Sequence, residues 1–179
     1  MARIRLMVIL CLCLTTRMVS ADSVSVLIGQ ISDYCRVPAG LLYAVARVES
    51  GRWVAGEVEP WPWTLNVAGE AKYFESREAQ FNALMQALQA GQGVDIGPLQ
   101  LNWWWQFDRL NSPWLATDPV FNLVTGCNIL RELYDHPDSH GSWHWAIGKY
   151  HRRSEAPQHV AAANLYADLV VTFWDGGRP

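Results

Sequence analysis

Leu41, Leu42, Val45 and Val48 recur at spacings of three and four, the signature of one buried face of an α-helix, and Gly51 ends it. Glu49 falls on that same face, four residues after Val45 and seven after Leu42. A carboxyl aimed at the core loses its water and tends to keep its proton near neutral pH, which is what a general acid needs. The same spacing also allows Glu49 to end its helix in solvent, and periodicity does not choose between the two. Further helical patterns cover 23–35, with a restart at Val37-Pro38, and 77–90, opened by Ser76 and stopped by Gly91. Others run from the cap Asp118-Pro119 to about Tyr134, over 141–151, and over 160–174. Pro60 and Pro62 exclude a helix over 58–69, which reads as irregular structure. Residues 93–102 read as a glycine-punctuated turn or short hairpin leading into Trp103-Trp104-Trp105. With no repeat or linker in view, the pattern predicts a mainly α single domain with at most a small β-hairpin.

Half of the 179 residues are hydrophobic and 17% are charged, which excludes a disordered chain. Ten tryptophans are an unusual load; flat aromatic faces suit carbohydrate rings or a large core. The first 21 residues read as a secretory signal peptide: Arg3 and Arg5, an apolar run from Leu6 to Leu14, then Val19-Ser20-Ala21 before a cut. Arg17 fits that reading less well, and an uncleaved anchor is the alternative; the run is short for a bilayer span, so no stable membrane span is expected after processing. Val8-Ile9-Leu10 before Cys11 lacks the small residues of a lipidation site. Cleavage after Ala21 removes three arginines and no acid, taking the formal charge from −3 to −6 and making nucleic acid a poor partner. Cys35 and Cys127 then remain, either as one disulfide closing a long loop or as two separate thiols. Their neighbours are not ligand-like, so no metal site is expected.

Four separated pieces stand in a telling order: Glu49-Ser50-Gly51 at a helix end, Gly97-Pro98-Leu99-Gln100-Leu101-Asn102, Asn122-Leu123 with Ile129-Leu130, and Ala146-Ile147-Gly148-Lys149-Tyr150-His151. The set resembles the soluble lytic transglycosylase family, with its Glu-Ser, Gly-Leu-Met-Gln-Ile-Asn-like turn and Ala-Tyr-Asn-like segment. The Trp61-Pro62-Trp63-Thr64-Leu65-Asn66 stretch is similar to exported members that accompany conjugative and type IV secretion systems. The resemblance implies a lysozyme-like domain over 22–179 in the periplasm. It also implies cleavage of the β-1,4 bond between N-acetylmuramic acid and N-acetylglucosamine in peptidoglycan glycan strands, with formation of a 1,6-anhydro ring. Glu49 would be the sole acid and base, without cofactor or metal. The implied substrate contacts are Ser50, Gln100, Asn102, Tyr150 and His151, with Gln100 or Tyr150 within reach of Glu49. Trp63 would stack on sugar or lid the core, and Asn66 would meet a sugar amide or bond its own turn.

Asp95 is the rival second carboxylate, or else a residue that holds its turn by bonding backbone amides. Pro98 and Leu99 replace the family's Leu-Met, and His151 replaces an asparagine, introducing a group that charges below about pH 6.5. Two other functions remain open: a lysozyme-type hydrolase, and a non-catalytic glycan-binding assembly factor of a secretion or conjugation machinery.

Overall fold

The computed structural model describes residues 21–175. The leader expected over 1–21 therefore lies, apart from Ala21, outside the described residues. The chain begins with α1 (Ala21–Cys35) and α2 (Ala39–Ser50), followed by the strands β1 (Gly51–Val54), β2 (Glu57–Pro60), β3 (Thr64–Val67) and β4 (Glu70–Tyr73). Helix α3 (Arg77–Gln89) leads to β5 (Val94–Ile96) and β6 (Leu101–Asn102), and two single-turn helices follow, α4 (Phe107–Leu110) and α5 (Pro113–Ala116). The long α6 (Pro119–Asp135), α7 (Trp143–His151) and α8 (Pro157–Asp175) complete the domain. The architecture is mostly helical with small antiparallel sheets. Among the described residues, no helix is long and apolar enough to cross a membrane.

Helix α2 lies at the centre, with Leu41, Leu42, Ala44, Val45 and Ala46 all inaccessible to solvent and α1, α8 and β2 packed around it. Its fully buried leucines each contribute on the order of 2 kcal/mol by leaving water. Helix starts follow local chemistry. The Ser76 hydroxyl accepts from Ala79 N–H at 3.2 Å, the Asp118 carboxylate from Phe121 N–H at 3.0 Å, and the Ser142 hydroxyl from Trp145 N–H at 3.2 Å. A disulfide joins Cys35 at the end of α1 to Cys127 in α6.

The strand content exceeds the single small hairpin expected. β1 and β2 form one sheet, and the other runs β4-β3-β5-β6. Residues 58–69 are not irregular either, because neither proline interrupts a ladder. Pro60 ends β2 opposite Gly51, and Pro62 falls between strands. Both hairpins turn on the same four letters, Val54-Ala55-Gly56-Glu57 and Val67-Ala68-Gly69-Glu70, with Val paired to Glu across each two-residue loop. The alanines take φ of 49° and 52° and the glycines 95° and 92°, so both central residues of each turn have positive φ, as in the primed turns that match strand twist. An alanine in that region is uncommon, which hid both hairpins from the sequence reading.

Candidate functional site

Four elements bring titratable groups together: α2 supplies Glu49, β5 supplies Asp95, α7 supplies Tyr150 and α8 supplies Tyr166. Glu49 sits where it does because α2 gives way at once to β1. A side chain at Gly51 would come within 2.4 Å of the Arg47 carbonyl oxygen and 2.6 Å of Val58, so only glycine lets the chain turn out directly after the acid. The Tyr166 hydroxyl donates to Glu49 Oε1 at 2.5 Å. Loss of water drives the Glu49 carboxyl from 4.5 up to about 7; the Tyr166 bond pulls the other way, and the charge of Asp95 adds to the rise. The phenols of Tyr150 and Tyr166 are both held well above their ordinary range, first by burial and then by the charge of Glu49, so both stay protonated donors. Asp95 is raised as well, by burial against an opposing bond from Asn102.

The glycine-rich stretch 97–102 is the scaffold beside this cluster. Asn122, fully buried in α6, accepts from Leu99 N–H at 3.0 Å and donates to the Ile96 carbonyl at 2.7 Å. Gly97 has φ of +74°, and a side chain on it would run into the Asn122 carboxamide at 2.7 Å. Gln100 also lies in the left-handed region, at φ of 44°. Its amide donates to the Gly97 carbonyl at 2.8 Å and to the Thr64 hydroxyl at 3.0 Å, bonds that hold this strained backbone in place. The Tyr150 hydroxyl donates to the Leu99 carbonyl at 2.6 Å. Gly126 of α6 makes room for both, since a Cβ there would stand 2.4 Å from Leu99 and 3.1 Å from the Tyr150 oxygen.

Several expected substrate contacts are thus spent inside the protein. Gln100 bonds its own turn rather than Glu49, and Tyr150 lies near enough for the charge of Glu49 to act on its phenol but donates to Leu99. Ser50 is buried and returns its hydroxyl to the Ala46 carbonyl at 2.8 Å, because a serine in a last helical turn finds that acceptor without moving. Trp63 is only 7% exposed and meets Trp61 edge-on, so its ring packs as core and presents no face to a sugar. Asn66 accepts from Gly69 N–H at 2.9 Å and serves the β3–β4 turn. Asn102 donates to Asp95 Oδ1 at 2.7 Å and caps the Trp104 and Trp105 amides with its oxygen. Asp95 therefore bonds that side chain rather than the backbone amides of a turn.

His151 is exposed and its imidazole stacks flat on Tyr166, with ring centres 4.4 Å apart and 7° between planes. Loss of water around the ring stacked against Tyr166, and then the neighbouring Arg152, lower its pKa, so it stays neutral to more acidic pH than an ordinary histidine.

Tyr166 is the residue of this candidate site that the sequence alone did not bring out. Its signal was present: it sits three residues after Ala163 and four before Val170, on the buried face of α8, where a phenol needs a partner. Among the described residues, no group of three or more His, Cys, Asp or Glu side chains is placed to hold a metal ion. Comparison with protein-family models, with characterised proteins and with solved structures yields no match to this chain.

Proposed function

We propose that the protein is a peptidoglycan lytic transglycosylase with a lysozyme-like domain, exported to the periplasm, and that Glu49 is its acid and base. One observation carries this reading: a partly buried carboxyl at a helix end that keeps its proton to about pH 7 while a tyrosine fixes one of its oxygens. That matches what a single-acid glycosidase requires at neutral pH. The protonated Glu49 oxygen gives its proton to the glycosidic oxygen as the bond to the muramyl anomeric carbon breaks. The resulting carboxylate then takes the proton of the muramyl 6-hydroxyl, whose oxygen closes on the anomeric carbon. The acid is regenerated, and a 1,6-anhydro end replaces a reducing end. Tyr166 holds the carboxylate in line for both transfers. Among the family-like motifs, the 97–102 turn and Tyr150 contribute by shaping the ground beside Glu49 rather than by bonding it.

The test is product analysis of peptidoglycan digested by the mature protein and by Glu49→Gln. Anhydro-muramyl ends are expected from the parent, and a loss of about 10² to 10⁴ in turnover from the variant. Reducing ends in place of anhydro ends would overturn the transglycosylase reading in favour of hydrolysis. Asp95 gives that second reading its support, because a hydrolase uses a second carboxylate and the charge of Asp95 reaches Glu49.

A further inference from the structure

Three consecutive tryptophans follow β6, and they have different surroundings. Trp103 is buried and meets Phe107 edge-on at 5.3 Å. Trp104 and Trp105 stand outward, 56% and 85% exposed, with Phe107 at 53% beside them in sequence. Large rings left in water mark binding surfaces when they cluster. Their backbone is held in place. Asn102 Oδ1 accepts from both of their backbone N–H groups at 3.1 Å, and the Trp104 indole N–H reaches the Gln92 carbonyl at 3.4 Å. Among the described residues no hydrogen bond takes the indole N–H of Trp105. The other end of the same Asn102 side chain donates to Asp95 Oδ1 at 2.7 Å, and the charge of Asp95 is felt by Glu49.

We propose that Trp104 and Trp105 form a carbohydrate subsite, a platform on which an N-acetylhexosamine ring of the glycan stacks beside the bond that Glu49 cleaves. The proposal deepens the transglycosylase reading and rests on it for the identity of the strand. A pyranose offers a flat C–H face to an indole and hydroxyls to a free N–H. The Gly91-Gln92-Gly93 loop, whose Gln92 carbonyl meets the Trp104 indole, is small and polar, and Phe107 adds a third exposed ring close by in sequence. One side chain, Asn102, bonds Asp95 and carries the backbone amides of both tryptophans, so the platform and the carboxylate whose charge reaches Glu49 are set by the same strand pairing, Asp95 opposite Asn102.

The test titrates the mature protein, made non-cleaving by Glu49→Gln, with β-1,4-linked N-acetylglucosamine oligomers from the disaccharide to the hexasaccharide. Trp104→Ala and Trp105→Ala are compared in that background. Removing Trp105 should weaken the long oligomers about tenfold, leave the disaccharide little changed, and leave the melting temperature unmoved, since the ring is mostly in water. Trp105→Phe should recover part of the loss. Equal affinity of all forms for every length, or no oligomer binding by any form, would overturn the platform. If binding depends on Trp105 while the parent produces no anhydro ends, the platform stands and the transglycosylase reading falls. If the parent cleaves and the tryptophan variants bind normally, the reverse holds.

Discussion

The proton on Glu49 has a consequence for stability that needs no substrate. In the unfolded chain its carboxyl titrates near 4.5, and in the folded protein near 7. Between those values the native state holds a proton that the unfolded chain has lost, so the stability this group confers is complete below about pH 4.5 and is lost as pH rises through about 7. At about 1.4 kcal/mol per pH unit, the span is worth about 3 kcal/mol, and the residual exposure of the residue brings this to about 2–3. Glu49→Gln removes the titration while leaving an oxygen for Tyr166 to bond. Urea unfolding of parent and variant from around pH 4 to around pH 8 should give a stability difference that moves by about 2–3 kcal/mol in favour of the variant. Any constant cost of burying the amide shifts the whole curve and not its slope. Parallel curves would mean that the carboxyl titrates in the folded protein as it does in the unfolded chain and is ionised at neutral pH, and no acid catalysis there could be assigned to it.

Tyr166→Phe deletes the one interaction that lowers the Glu49 pKa, leaving burial and Asp95 to raise it further above about 7. The alkaline limb of the kcat profile should move to higher pH while turnover falls about tenfold or more from lost orientation. Gly126→Ala places a methyl 2.4 Å from Leu99, and the displaced turn should cost about 1–3 kcal/mol in urea unfolding. Replacing both Cys35 and Cys127 by Ser releases a loop spanning 92 residues and should lower stability by about 2–4 kcal/mol, read as a fall in melting temperature that reductant does not deepen.

What the sequence revealed and what it hid divide by range. The caps Ser76 and Asp118 and the apolar stripes of α2, α3 and α6 are local, and they put the helices within a few residues of their observed ends. Each hairpin depends on two adjacent positive φ angles, one of them at an alanine. Residue propensity gives no sign of that, and the doubled Val-Ala-Gly-Glu was the one available clue. Glu49 was legible because its spacing from Val45 and Leu42 is a property of one helix. Gln100 and Tyr150 were placed in the right neighbourhood with the wrong partners, since Asn122 and Gly126 of α6 decide how the turn is held. No pattern within ten residues of either contains that information.

Tyr166 is the extreme case, separated from its partner by 117 residues. It reaches Glu49 only because α8 packs on α2 and α7 and because His151 covers the ring from outside. The burial that raises the Glu49 pKa depends in part on α8 packing on α2, and it outweighs the opposing bond that the same helix supplies through Tyr166. When α8 opens, water reaches the carboxyl, the burial that raised its pKa is lost, and the group returns toward 4.5. Linkage makes the relation reciprocal: protonation of Glu49 favours the docked helix, and ionisation favours its release. Amide hydrogen exchange over α8, corrected for intrinsic rates, should show an opening free energy that is larger near pH 5 than near pH 8, by up to about 2–3 kcal/mol. The dependence should vanish in Glu49→Gln. Pure global unfolding would protect α1 by the same increment; an increment confined to α8 and its contacts would assign the effect to local docking. No pH dependence anywhere would mean that the acid and the last helix are not coupled, and the site would lose the element that sets its proton.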